Sequence, residues 1–277
     1  MKIGAEEYNI RPESKKALDS EIFFLNLVVY TVVLAYAFGY LIWPVFYLLF
    51  HLAYMRVFIG NHDRFHADTS RRWPRPFEFF AEHFALVVTP WDEPYDSIRK
   101  KHLTHHVTHL PNKVPGHDVS QDPHCVYEAG GFWRALLHCA FYEEVQLVSD
   151  IRNNNITVSR WIRLAIYLPL QVLFVSTFGW EKYLGVFAAM RLMSAGGWFA
   201  FSWGLHNRAL YHFGFVREVP KAVIWLFGVL NGKRVKDGFF RHAAHHAWPQ
   251  LPSSRLDELD SAVLRNPDAS PEMIATN

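Results

Sequence analysis

Apolar residues run in blocks along this chain, and the blocks set the architecture the sequence predicts. Between Ile22 and Ile59 the only charged or histidine side chains are Arg56 and His51. One straight helix over those 38 residues would be about 57 Å long at about 1.5 Å per residue, nearly twice a hydrocarbon core of about 30 Å. Gly39 and Pro44 mark a break, which predicts a hairpin of two spans, 22–38 and 42–60, the second interrupted near its start by Pro44. A second apolar pair covers 161–177 and 183–205, with Phe178 to Lys182 as its turn.

Shorter apolar stretches lie between and after these pairs. Phe77 to Val88, broken by Glu78, Glu82 and His83, and Phe132 to Val148, with Glu143 and Glu144 on its polar side, read as helices lying in a membrane interface. Ala222 to Leu230 is apolar but too short to span. Ser254 to Asp257 has the spacing of a helix-starting capping box, with Leu259 and Val263 following at helical intervals. The expected fold is an all-α integral membrane domain over 1–265, with four transmembrane helices in two hairpins beneath a cytoplasmic helical cap. Residues 266–277 read as a disordered tail.

Charge adds an orientation. The N-terminus mixes Glu6, Glu7 and Glu13 with Lys15 and Lys16, unlike the basic start of a secretory signal, and is read as retained. Lys182 is the one basic residue in the two hairpin turns, so the positive-inside rule puts the N-terminus, the 61–160 segment and the C-terminal third in the cytoplasm. The basic runs Arg71-Arg72, Arg99-Lys100-Lys101 and Lys233-Arg234 read as headgroup anchors. Arg191, inside the fourth span, is expected to snorkel toward the far face. Cys125 and Cys139 form no CxxC, as expected in a reducing compartment. The chain has no GxGxxG, P-loop or HExxH motif, and nothing in it suggests nucleic acid as a partner.

The candidate chemistry lies in three histidine clusters: His62-Asp63-Arg64-Phe65-His66, His102-Leu103-Thr104-His105-His106 and His242-Ala243-Ala244-His245-His246. On a helix, residues three and four apart share a face, so each cluster aims its imidazoles one way. Imidazole suits Fe, Zn, Cu and Ni. Eight imidazoles are too many for one ion, and two metals are the natural count. All three clusters and His206, at the end of the fourth predicted span, fall on one side of the predicted membrane. His51, His83, His109, His117, His124, His138 and His212 lack the spacing and read as ordinary polar or interfacial residues.

The HDxxH of residues 62–66 and the two HxxHH boxes resemble the membrane fatty acid desaturase and hydroxylase superfamily, over about residues 22–255. The resemblance implies a non-haem di-iron centre with His62, His66, His102, His105, His106, His242, His245 and His246 as ligands. It adds His206 as a ninth, because the family places a lone ligand on the last span. An Asn that joins the coordination through water in the acyl-CoA branch is here Ser202. Trp248-Pro249-Gln250-Leu251-Pro252 is similar to the tail that follows the third box in many members.

The implied reaction is O2-dependent desaturation of a fatty acyl chain that is lipid-, CoA- or carrier-linked. The alternative is hydroxylation or ketolation of acyl, alkane or carotenoid substrates. Imidazole ligands usually have carboxylates behind them, and Asp63, Asp92, Glu93, Asp96 and Asp237 are the candidates. With no fused electron-transfer domain visible, a separate ferredoxin, rubredoxin or cytochrome is the expected donor, in a bacterial inner membrane. A metal transporter or a bis-histidine haem protein would need ligands inside the spans, and a zinc hydrolase would need a general-base Glu.

Overall fold

The computed structural model describes residues 15–66, 95–108, 132–201, 220–242, 245, 249 and 251–257. Among them there is no strand. The helices are α1 (Lys15–Ala37), α2 (Trp43–His66), α3 (Tyr95–Thr108), α4 (Phe132–Ala140), α5 (Tyr142–Arg152), α6 (Val158–Met193), α7 (Lys221–Asn231) and α8 (Lys233–Phe240). A π-helical turn, Ser194–Trp198, continues α6, and a 3-10 turn covers Ser253–Arg255. Three helical segments are long and apolar enough to cross a membrane: Leu18–Ala37, Trp43–His66 and Arg160–Trp198.

The first break falls where the sequence puts it. Gly39 has φ +82°, a conformation that costs glycine little because it has no Cβ. Its N–H reaches the carbonyl of Tyr36 at 3.0 Å and that of Tyr40 reaches Ala35 at 2.9 Å, closing the end of α1 with the backward bonds of a glycine C-cap. Pro44 does not interrupt α2, contrary to expectation. It is the second residue of the helix, where the absent N–H would have no intrahelical partner anyway. Helix α2 therefore runs on through Gly60 and carries the whole of the first histidine box.

The third membrane-length segment is longer than a bilayer needs and is interrupted. Gly179 (φ 84°, ψ 164°) is non-helical. The Phe174 and Tyr183 rings lie 6.5 Å apart and Tyr183 is hydrogen-bonded to Tyr167. Sixteen residues of straight helix would separate that last pair by about 24 Å. Side chains on either arm of the break thus meet each other.

The chain divides into two compact units. The first comprises residues 1–25, 52–68 and 204–277. Its described core includes Leu18, Ile22, Ile59, Phe65, Val235, Phe239, Leu251 and Leu256. A Cβ on Gly60 would stand 3.0 Å from Ile22, so glycine there lets α1 and α2 approach closely. Arg56 donates from Nε to the Asn231 carbonyl (3.0 Å) and from Nη2 to the Leu230 carbonyl (3.3 Å). A cation thereby satisfies carbonyls that the end of α7 leaves without helical partners.

The second unit comprises residues 26–51 and 69–203. Tyr36 stacks on Phe46 (4.4 Å), and Trp43 Nε1 donates to the Gly185 carbonyl (2.9 Å). Arg191 does not snorkel away. It is buried, donates to the Ala140 carbonyl at 2.9 Å, and pairs with Glu144 at 2.8 Å and Glu143 at 3.0 Å. A charge that deep is tolerated when it is paired and hydrogen-bonded.

Candidate metal centre

In the first unit, box one occupies the last turns of α2, where the four-residue spacing puts His62 and His66 on one face. Box three follows α8. The His245 N–H donates to the Arg241 carbonyl at 3.1 Å, a helical turn that keeps His242 and His245 on a common side. The two segments bring four rings together. Centroids are 4.3 Å apart for His62 and His245, 4.8 Å for His66 and His245, 5.6 Å for His62 and His242, and 5.5 Å for His242 and His245. His62, His242 and His245 are buried and His66 is partly so.

Asp63 holds this arrangement in register. Its Oδ2 accepts from Arg234 Nη1 at 2.6 Å. Its carboxylate takes the Ser253 N–H at 3.0 and 3.1 Å, and Oδ1 takes the Ser253 hydroxyl at 2.6 Å. Arg234 also reaches Glu21 at 2.9 Å, and Arg64 pairs with Asp19 at 2.9 Å. One fully buried carboxylate between the box-one histidines thus ties down α8 and the turn beyond box three. The His62 Nδ1 to Asp63 Oδ1 separation is 3.7 Å, outside hydrogen-bond range, so the short bonds of Asp63 all go to Arg234 and Ser253. Asp237 is buried too, paired with Lys236 at 3.1 Å and Arg241 at 3.4 Å. Burial raises its carboxyl above the usual range in spite of those cations.

In the second unit, α3 carries His102, His105 and His106 within five residues. His102 and His105 are buried. The Nε2 atoms of His102 and His106 lie 3.1 Å apart. Two nitrogens each about 2.1 Å from one ion and at right angles around it would be about 3 Å apart, so this pair is spaced as ligands sharing a metal would be. The donor chemistry suits a first-row transition metal: the candidate donor atoms are imidazole nitrogens, and most of the described rings are sheltered from water.

His51 and His138 are placed without box geometry. His51 sits in α2 with its ring 5.8 Å from Tyr47, and His138 sits in α4 with its ring 6.1 Å from Tyr142. His206, His246, Ser202, Asp92, Glu93, His83, His109, His117, His124 and His212 lie outside the described residues, as does the side chain of Asp96. So do Trp248 and Gln250, whereas Leu251 and Pro252 are described and buried.

Sequence reasoning passed over Arg234 and Ser253. Lys233-Arg234 was expected to anchor in headgroups. Instead Arg234 turns to Asp63, and Lys233 pairs with Asp257 at 2.9 Å. The one sequence signal for this was Asp63 itself, an acid inside a histidine box that needs a buried cation. Compared with protein-family models, curated proteins and solved structures, the chain matches none.

Proposed function

We propose that this chain is a membrane-embedded, O2-dependent di-iron desaturase of a fatty acyl chain. The observation that carries the proposal is the clustering of buried and partly buried imidazoles within each unit: His62, His66, His242 and His245 in one, and the closely set His102 and His106 of α3 in the other. The eight box histidines, with His206 as a ninth ligand, are assigned to two iron ions. Bound iron would supply the O2 activation needed to break an unactivated methylene C–H bond.

The chain's own residues supply position and shelter. Asp63, Arg234 and Ser253 fix the segment that carries box three. Burial excludes water, and an all-imidazole set leaves the ligands neutral, as metal binding requires. The break at Gly179 is read as the turn between two antiparallel spans, which makes four spans in two hairpins with the boxes on the cytoplasmic side of a bacterial inner membrane. Electrons come from a separate ferredoxin, rubredoxin or cytochrome-type donor.

The test is lipid mass spectrometry of cells expressing the chain, alongside His105→Ala and His245→Ala variants. Desaturation predicts acyl chains lacking two hydrogens in the wild type and not in the variants. A gain of one oxygen would reassign the reaction to hydroxylation. An unchanged lipid profile together with a Soret band in the purified protein would replace the proposal with a haem protein.

A further inference from the structure

Helices α4 and α5 are patterned the wrong way round for a surface that meets water. Between Arg134 and Arg152, the exposed residues are Leu137 (61%), Phe141 (42%), Val145 (42%), Val148 (45%) and Ile151 (52%), all apolar. The spacing of four, four, three and three puts them in one stripe along a helical stretch that is bent only at Phe141. The acidic side chains are less exposed: Glu143 at 14%, Asp150 at 16% and Glu144 at 30%. Each turns toward the protein. Glu143 and Glu144 pair with Arg191 and Asp150 with Arg160, both arginines being on the long apolar segment that follows. Helix α5 has no buried residue, so its apolar stripe covers no core.

A helix in contact with water buries its apolar stripe and exposes its charges. A helix in contact with hydrocarbon does the opposite, because an unpaired charge facing lipid is costly and is hidden against a partner. We infer that α4 and α5 lie with this stripe against the acyl chains of the bilayer, as an embedded helical arm locked to α6 through Arg191 and Arg160. Two further features support the lipid as occupant. Helix α6, in the same unit, is itself exposed at the apolar Leu184 and Leu192. The stripe is closed at its ends by the exposed Arg134 and Arg152, whose long stems can bury against apolar surface while the guanidinium reaches headgroups. The inference does not depend on which metal the histidines hold.

Nitroxide labels test it on the full chain in phosphatidylcholine vesicles. Leu137→Cys, Val145→Cys, Val148→Cys and Arg152→Cys would each be labelled in a Cys125→Ser, Cys139→Ala background. Labels at 137, 145 and 148 should be relaxed by dissolved oxygen and not by a water-soluble nickel chelate, with the reverse at 152. Nickel relaxation at 145 and 148 would overturn the inference by placing the stripe in water. Protection from both agents at those positions, with dipolar broadening between labels, would overturn it in favour of a second copy of this chain. Using several stripe positions keeps the test decisive if one variant fails to fold.

Discussion

Two arginines, Arg191 buried and Arg234 partly so, show how differently one pairing can be used. Arg234 in the first unit meets Asp63, a carboxylate that is almost fully buried and also accepts both donors of Ser253. Arg191 in the second unit meets two glutamates and a backbone carbonyl, with Phe187 beneath its guanidinium at 5.0 Å. The first cluster funnels four short contacts through one residue, next in sequence to His62 of box one. The second spreads the charge over several partners, part of them exposed. Concentration gives precise placement at the cost of fragility, and spreading gives tolerance.

That contrast can be broken by substitution. Asp63→Ala should have the largest effect, because it takes a carboxylate from the partly buried Arg234 guanidinium, which still has Glu21, and takes the acceptor from both Ser253 donors. Losing one partner of a buried pair costs about 3–5 kcal/mol, and unfolding should show it together with loss of bound metal. Asp63→Asn keeps acceptors for Ser253 and should fall between this variant and the wild type. Arg56→Gln comes next. It removes the cation at the end of α7 without exposing a buried carboxylate, and should cost about 1 kcal/mol in the same measurement.

Glu144→Gln should be smaller still, at or below about 1 kcal/mol, because the group is partly exposed and Glu143 remains. The Glu143→Gln, Glu144→Gln double variant should lose more than the sum of the singles. If Glu144→Gln alone matched Asp63→Ala, the contrast between the clusters would be gone. The smallest expected effect is that of His138→Ala on metal content. Its ring packs on Tyr142 and its position lacks the box spacing, so metal bound per chain should equal that of the wild type.

Much of the architecture is legible in the sequence, because long apolar runs and a glycine break act locally. The first break at Gly39, the short apolar helix around Ala222 to Leu230 and the interruption within 178–182 all follow from composition over neighbouring residues. Pro44 misled because the rule against proline in helices does not apply to the first turn. The tertiary partners were harder to read. Arg191 and Arg234 look from sequence like snorkelling or headgroup cations, and only the fold brings in Glu143, Glu144 and Asp63 from segments far along the chain. For the same reason the helix start read at Ser254 gave no hint of its neighbour Ser253, whose hydroxyl is spent on Asp63. The histidines of box one and box three were readable as candidates from spacing; that their rings pack together is information of the fold.

The central claim is that these histidines hold two irons, and iron quantification on the purified full chain tests it most directly. The wild type should carry two irons per chain and show the Mössbauer signature of a non-haem pair. His245→Ala, which removes the ring 4.3 Å from His62 and 4.8 Å from His66, should lose that iron while remaining folded by circular dichroism. A wild-type chain purified without iron after expression in iron-replete medium, one showing a haem spectrum, or a His245→Ala variant that keeps both irons would contradict the account.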